Sequence, residues 1–207
     1  DLTWAATRAK ASCRGFFFQR RESKFRDVLD GLANTIAAGE ISTSNGQREI
    51  NSDWVRGLPG GANGMRRDPS TCKQGVHIDP ERPQFYSASA AMHGNGSDQC
   101  RGCRWADFRP QYSAFTTILP PNNPSCQNGG GDYNDMISSA GSRHQGGAHI
   151  LMGDGAVIFI TDSIEAGDAT HPPVERGSSA QPAWAGPGTE PGAQSPYGLW
   201  GALGTKA

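Results

Sequence analysis

SRHQGGAHILMGDGAVIFITDSI, residues 142–164, is the stretch of the chain that decides its fold. Its runs 148–152 and 156–161 are rich in Ile, Val and Phe, and they flank a Gly-Asp-Gly segment. Asp-Gly between two apolar runs predicts a β-hairpin. We expect a type I′ turn at Asp154 and Gly155, because the two central residues of that turn need positive φ.

The predicted turn also fixes the register of the hairpin and therefore its two faces. With Asp154 and Gly155 as the loop, the cross-strand pairs are Met152–Val157, Leu151–Ile158 and Ile150–Phe159. Both faces are then largely apolar, so we expect the hairpin 148–161 to be central and covered on both sides.

The composition of the 207 residues indicates a thin core under many loops. Leu, Ile, Val and Phe make up about 15% of the chain, while Gly numbers 28 and Pro 14. A net charge of −1 predicts no nucleic-acid partner, and no apolar run approaches the ~20 residues of a membrane span. The predicted fold class is α+β to mainly β, loop-rich, with an antiparallel sheet around the hairpin.

Outside the hairpin the patterns are weaker. Apolar residues at three- and four-residue spacing predict a helix over 24–37, and β-branched content predicts a strand over 115–119. The segment 45–64 has the composition of a loop or of an irregular hairpin around Trp54, and 122–131 has that of a loop.

The composition changes after residue 164. Residues 165–198 are rich in Pro, Gly, Ala and Ser without periodicity, which predicts an extended arm. We therefore divide the chain into a globular body, 1–164, and an arm with a docking tail, 165–207. The apolar tail is expected to contact either its own body or another subunit, and the second is favoured for an assembly subunit; its candidate interface residues are Tyr197, Leu199, Trp200 and Leu203.

Five cysteines in a loop-rich chain are typical of an exported, oxidised protein. Cys13 lies apart from the others and is the expected unpaired thiol. The other four are predicted to form two disulfides, with Cys103–Cys126 the first choice: Cys72, Cys100, Cys103 and Cys126. A zinc site and a redox pair at Cys100-x-x-Cys103 are the weaker alternatives.

Polar side chains offer two candidate ion sites. His144 and His149 could meet a carboxylate such as Asp154 at a metal, but His149 lies within the strand and His144 five residues earlier, so we do not expect them to share a face. A hydrogen bond from His144 to backbone at the hairpin base is favoured. Asp132, Asn134 and Asp135 are weak calcium candidates, and a solvated loop without a cofactor is the better interpretation.

Several stretches together resemble the DUF1559 family of prepilin-like proteins, typical of Planctomycetes. His144, nine residues and Asp154-Gly155 resemble its H-x9-DG signature. The stretches that agree, in the family's order, are FRDVLDGLANTIAAGE (25–40), CRGCRW (100–105), TILPPNNPSC (117–126) and LWGALGTK (199–206). Members usually begin with a cleaved leader and a long apolar helix; this sequence has neither, so the resemblance implies that they were removed or lie upstream.

The resemblance implies a pilin-like C-terminal globular domain at the cell surface or outside the cell. We expect a non-enzymatic structural subunit of a self-associating assembly or filament, since the sequence contains no catalytic motif such as G-x-S-x-G or H-E-x-x-H. The alternative is a surface module that binds a glycan or a protein, with tryptophans as stacking platforms: Trp4, Trp54, Trp105, Trp184 and Trp200. A metal-dependent hydrolase that uses the histidines is a third hypothesis.

Overall fold

The computed structural model describes residues 13–17, 22–58, 61–93, 98–132, 134–174 and 186–206, with only the backbone of 61–63. In these ranges the chain forms two three-stranded sheets and two short α-helices, joined by long loops and 3-10 turns. This confirms the predicted α+β to mainly β class. The elements are β1 (Ile36–Gly39), β2 (Trp54–Arg56), α1 (Gly61–Arg67), β3 (Ser125–Gln127), β4 (Met136–Ile137), β5 (Gly147–Met152), β6 (Val157–Thr161) and α2 (Gly198–Leu203).

The first sheet is antiparallel, in the order β1-β5-β6, and the predicted hairpin forms two of its three strands. Its inner face packs on a core that contains Ile36, Ala148, Ile150, Met152 and Trp200. The antiparallel sheet around the hairpin is therefore confirmed.

The turn between β5 and β6 differs from the predicted type I′ turn. The N–H of Gly155 donates to the carbonyl of Met152 at 3.0 Å, and Gly155 has the one positive φ of the loop, 92°. This is a three-residue loop that ends in a left-handed glycine. Asp154 does not supply a positive φ; instead its carboxylate accepts the N–H of Ala156 at 2.9 Å.

The extra loop residue shifts the register by one position. The observed pairs are Leu151–Val157, Ile150–Ile158 and His149–Phe159, so the predicted register is wrong. The expectation that both faces are covered is also wrong. Ile150 is fully buried and Leu151 is exposed, because alternate side chains of a strand point to opposite faces. In the edge strand β6, Val157, Ile158 and Phe159 are all exposed.

The second sheet, in the order β2-β3-β4, was not predicted. β2 runs parallel to β3, and β4 runs antiparallel to β3. Its strands lie in the segments predicted to be loops and in the polar stretch before the hairpin. A disulfide between Cys72 and Cys126 attaches the 3-10 helix Pro69–Lys73 to β3, within a second core that includes Val55 and Leu119.

The helix predicted over 24–37 does not form. Phe25–Asp27 and Leu32–Asn34 are separate 3-10 turns, and β1 begins at Ile36. Gly31 breaks the segment with a φ of 90°. Since a short helix depends on tertiary packing, periodicity alone does not stabilise one here, and Leu29 stays exposed.

The strand predicted over 115–119 does not form; the segment is irregular, and two of its residues belong to the cores. Phe115 stacks on Trp200 with ring centroids 6.3 Å apart, and Leu119 is fully buried. Thr116 makes a backbone hydrogen bond to Ser138.

The apolar tail contacts the body of its own chain. Trp200 is fully buried, and its indole N–H donates to the carbonyl of Leu119 at 2.8 Å. Tyr197 is also buried, Leu203 packs at the edge of the first core, and Leu199 is exposed. An interface role for these residues stays a prediction, as does the division at residue 164; the middle of the arm, 175–185, lies outside the described residues.

Candidate functional site

The surface of the first sheet that points away from the core is the most distinctive surface of the molecule. We call this surface the outer face; its residues, which in β5 alternate with buried ones, are Ala38, Glu40, His149, Leu151, Val157 and Phe159. Val157 is 63% exposed and Phe159 44% exposed. β6 is the edge strand, and among the described residues no strand pairs with its free side. The outer face therefore combines apolar side chains with an open sheet edge.

One end of the outer face holds a cluster of two imidazoles and one carboxylate. Nδ1 of His144 lies 3.4 Å from Oε1 of Glu40, and Nδ1 of His149 lies 3.3 Å from Oε2. The two rings meet edge to face with centroids 4.8 Å apart. We call Glu40, His144 and His149 the histidine cluster; within the described part of the chain, no other three His, Cys, Asp or Glu residues bring their ligand atoms this close together.

A turn before β5 brings the two histidines together, contrary to the prediction that they would not share a face. The chain turns at Gly146, which has a φ of 81°, so His144 folds back over His149. The hydroxyl of Ser142 accepts the N–H of His144 at 3.0 Å and lies 2.9 Å from its Nδ1. The favoured hydrogen bond from His144 to backbone is thus replaced by one to a side chain.

Glu40 is the carboxylate of the cluster, and Asp154 is not. The N–H of Glu40 donates to the carbonyl of His149 at 3.0 Å, next to the β1–β5 pairing, and the N–H of His149 donates back to the Glu40 carboxylate at 2.8 Å. Burial disfavours the charged carboxylate, but hydrogen bonds from His149 and Ser142 outweigh it and lower the pKa of Glu40. The carboxylate is therefore held ionised and in a fixed orientation.

The H-x9-DG stretch is divided between the two ends of the hairpin. His144 lies at the base, in the cluster, whereas Asp154 and Gly155 form the turn at the tip. The six residues of β5 separate them by about 20 Å. The three residues therefore do not form one site; Asp154 and Gly155 shape the loop, and His144 belongs to the outer face.

The cysteines form two disulfides, as predicted, but in a different pairing. The bonds are Cys72–Cys126 and Cys100–Cys103, so the predicted Cys103–Cys126 bond is wrong. Cys13 is the free, exposed cysteine. Residues 101–106 are turns, not a helix, so the Cys100-x-x-Cys103 pair lacks the helix dipole that activates a redox thiol.

The two carboxylates among the calcium candidates are paired with arginines. Asp132 accepts hydrogen bonds from Tyr112 at 2.8 Å and from Arg109 at 2.9 Å; the Tyr112 bond is the main cause of its lowered pKa. Asp135 forms an ion pair with Arg66 at 2.6 Å. These carboxylates neutralise guanidinium groups, and a calcium site at these residues stays a prediction.

The tryptophans divide into core and surface residues. Trp54 and Trp200 are buried and cannot stack on a sugar, whereas Trp105 is 86% exposed in the loop 103–109. Trp4 and Trp184 lie outside the described residues. One described tryptophan therefore remains as a stacking platform.

Sequence reasoning missed two residues, one that completes the histidine cluster and one that holds three loops together. Glu40 lies about a hundred positions from the histidines, and only the pairing of β1 with β5 reveals its role. Arg101, between the two bonded cysteines, is fully buried and donates to the carbonyls of Pro110, Ala114 and Ser139. Its burial lowers its pKa to about 10, so it stays charged at neutral pH and fixes three loops.

Comparison with known proteins adds the family. No helix in the described ranges is both long and apolar enough to cross a membrane. No curated protein and no solved structure matches the chain. The family model described as "Protein of unknown function (DUF1559)" matches residues 1–167. The chain therefore belongs to the DUF1559 family, as its sequence stretches predict.

Proposed function

We propose that this protein is a non-enzymatic structural subunit of a pilin-like assembly at the cell surface, and that a second copy of the chain binds the outer face and the free edge of β6. One observation carries the proposal: Leu151, Val157 and Phe159 are exposed together beside a sheet edge that no described strand covers. Exposed apolar patches of this kind mark contacts between proteins.

The edge strand favours a second copy as the partner. An open edge presents unpaired N–H and C=O groups to another strand, and monomeric proteins usually protect such edges with lysine, proline or a bulge. β6, VIFIT, has none of these protecting residues. Two copies related by a two-fold axis could pair β6 with β6 and join two sheets into one of six strands.

The disulfides support a location outside the cytoplasm. Bonds such as Cys72–Cys126 persist in oxidising compartments and are rare where thiols are kept reduced. A self-associating domain in such a compartment fits a surface assembly.

The test compares two valines of similar exposure on different surfaces. Val157 lies on the outer face at 63% exposure, and Val76 lies in the 3-10 helix Gly75–His77 at 67%. We expect the wild type to associate with rising concentration in sedimentation or light scattering, and Val157→Lys to stay monomeric, because a lysine on an edge strand opposes pairing. Val76→Lys should associate as the wild type does.

Two results would contradict the proposal. The first is a wild-type chain that stays monomeric at high concentration and shows no ordered polymer in electron micrographs of native material. The second is a Val157→Lys variant that associates as strongly as the wild type.

A glycan-binding module is the second candidate, because Trp105 is exposed beside Phe108 in one loop. Aromatic side chains with an exposed ring provide apolar contact area for a ligand. Binding of the wild type on a glycan array that Trp105→Ala abolishes would favour this function. An array without signal would remove it.

A further inference from the structure

The histidine cluster has the donor atoms and the spacing of a transition-metal site. Neutral imidazole nitrogens and a carboxylate oxygen are ligands that zinc takes in tetrahedral sites, at about 2.0–2.2 Å from the ion. At these bond lengths, two ligands of a tetrahedron lie roughly 3.3 Å apart. The separations start from the two oxygens of the Glu40 carboxylate: 3.4 Å from Oε1 to Nδ1 of His144 and 3.3 Å from Oε2 to Nδ1 of His149. Each of the three residues offers a ligand atom within 4.8 Å of the other two.

The same distances are long for hydrogen bonds. An N–H···O bond usually spans about 2.7–3.2 Å, and charged partners come closer still. The Glu40 carboxylate makes a shorter bond of 2.8 Å to the backbone N–H of His149. The rings therefore surround the carboxylate at the spacing of metal ligands, while backbone hydrogen bonding fixes its orientation.

We propose that Glu40, His144 and His149 bind one divalent transition-metal ion of the zinc class. Two neutral imidazoles and one carboxylate reduce the charge of such an ion to +1, which an exposed site tolerates. The mixed nitrogen and oxygen donors favour zinc, nickel or copper over calcium and magnesium, which take oxygen ligands.

The fourth coordination position is open to solvent. The side chains of His144, His149 and Glu40 are 60%, 41% and 33% exposed. Three protein ligands with an open position accept water or a donor atom from another molecule. Because the cluster lies on the outer face, that donor can come from a second copy; metal binding by the single chain does not depend on this contact.

Neighbouring groups hold the histidine cluster in its orientation. The hydroxyl of Ser142 accepts the backbone N–H of His144 at 3.0 Å and so holds the backbone beside that ring. The ring of His149 packs edge-on against Phe159 with centroids 5.1 Å apart. Such contacts set ring orientation around a metal and contribute to its affinity.

The experiment measures Zn²⁺ binding by the chelator-treated full chain, purified without a histidine tag. Isothermal titration of the wild type should give one Zn²⁺ per chain, and Ca²⁺ at the same concentration should give no signal. His144→Ala and His149→Ala should each weaken binding by at least about tenfold, since even an outer-shell change typically costs that much. Glu40→Gln should weaken it as well.

His171→Ala is the matched control. His171 lies away from the outer face, with its Nδ1 against the carbonyl of Pro172, so its replacement should leave the Zn²⁺ affinity unchanged. The proposal is overturned if the wild type binds no zinc, or if binding survives both His144→Ala and His149→Ala.

A second measurement needs no variant of the site. NMR spectra of the five histidine rings should show two rings shifting with Zn²⁺, assigned to His144 and His149; shifts confined to the other three would overturn the proposal. Val157→Lys separates the two proposals, because it should remove association and retain zinc binding. A wild-type chain that associates but binds no zinc would contradict the metal site and leave the proposed function standing.

Discussion

The two sheets are stabilised in different ways. The first sheet has strands of four, six and five residues, and a three-residue loop joins the last two. Neighbouring positions in the chain therefore supply most of its pairing. The second sheet has strands of three, three and two residues that come from distant parts of the chain. Its strands are almost entirely buried, whereas β6 of the first sheet is almost entirely exposed.

The comparison shows that the covalently held sheet and the exposed apolar surface belong to different parts of this molecule. A disulfide and buried polar bonds hold the second sheet; the hydroxyl of Tyr86, for example, donates to the carbonyl of Ser125 at 2.9 Å and accepts its N–H at 2.8 Å. The first sheet keeps a short local connection and leaves one face free. Side chains of the outer face can therefore be replaced without loss of the second sheet, which the Cys72–Cys126 disulfide holds.

The largest expected effect is loss of the disulfide in the second sheet. Cys72→Ser with Cys126→Ser opens a loop with a sequence separation of 54, which lowers the free energy of unfolding by about 4 kcal/mol in the chain-entropy model. Urea unfolding monitored by tryptophan fluorescence measures this change.

The other disulfide provides the control for that prediction. Cys100 and Cys103 are three positions apart, so replacing both with serine should cost only about 1.5 kcal/mol by the same model. Equal losses in the two double variants would contradict the view that the second sheet depends on its covalent bond.

The next effect concerns the core of the first sheet. Trp200→Phe removes the indole N–H that donates to Leu119 and leaves a buried carbonyl without that partner. We expect the free energy of unfolding to fall by about 2–3 kcal/mol, from the unpaired group and the vacated volume. The exposed Leu199, replaced by alanine, should change it by less than about 0.5 kcal/mol. Similar losses in both variants would mean that the tail is not part of this core.

The same contrast explains what could be predicted from the sequence. The hairpin was predictable because Asp154 and Gly155 mark a turn between adjacent apolar runs. The predicted turn type was wrong, and the predicted register was wrong by one position, since both loop geometries use the same Asp-Gly pair. The second sheet was not predictable: β2 and β3 are about 70 residues apart and too short for a visible alternation.

The site was predictable only in part. His144 and His149 were recognised as potential ligands, but their meeting depends on the turn at Gly146. Their carboxylate belongs to Glu40, which directly follows β1, and the first two residues of β1 were expected to end a helix. The apolar spacing over 24–37 met the helical pattern, yet tertiary packing placed Ile36 in a strand, and such packing is not visible in local periodicity.

A smaller effect is expected at the tip of the first sheet. Gly155 has a φ of 92°, and a Cβ there meets no atom within 4 Å, so the penalty for a side chain is conformational and not steric crowding by neighbours. Gly155→Val should lower the free energy of unfolding by about 1–3 kcal/mol. Gly155→Asn should lower it less, because asparagine tolerates a left-handed conformation. Equal melting of wild type and Gly155→Val would contradict the loop geometry.

The smallest expected effect is a pH dependence of the free energy of unfolding that comes from His77, in the 3-10 helix Gly75–His77. His77 is buried, and burial lowers the pKa of its imidazole from 6.5. The unfolded chain therefore binds a proton at a higher pH than the folded chain does. The free energy of unfolding falls as the pH drops from the ordinary pKa of 6.5 towards the lowered pKa of the folded chain. Urea unfolding at about pH 7.5 and about pH 5.5 should show a smaller fall for His77→Gln than for the wild type. His171→Gln, which changes a histidine elsewhere, should retain the wild-type fall. An identical fall in the wild type and His77→Gln would mean that His77 is not held neutral by burial, and the pH dependence would then belong to other groups.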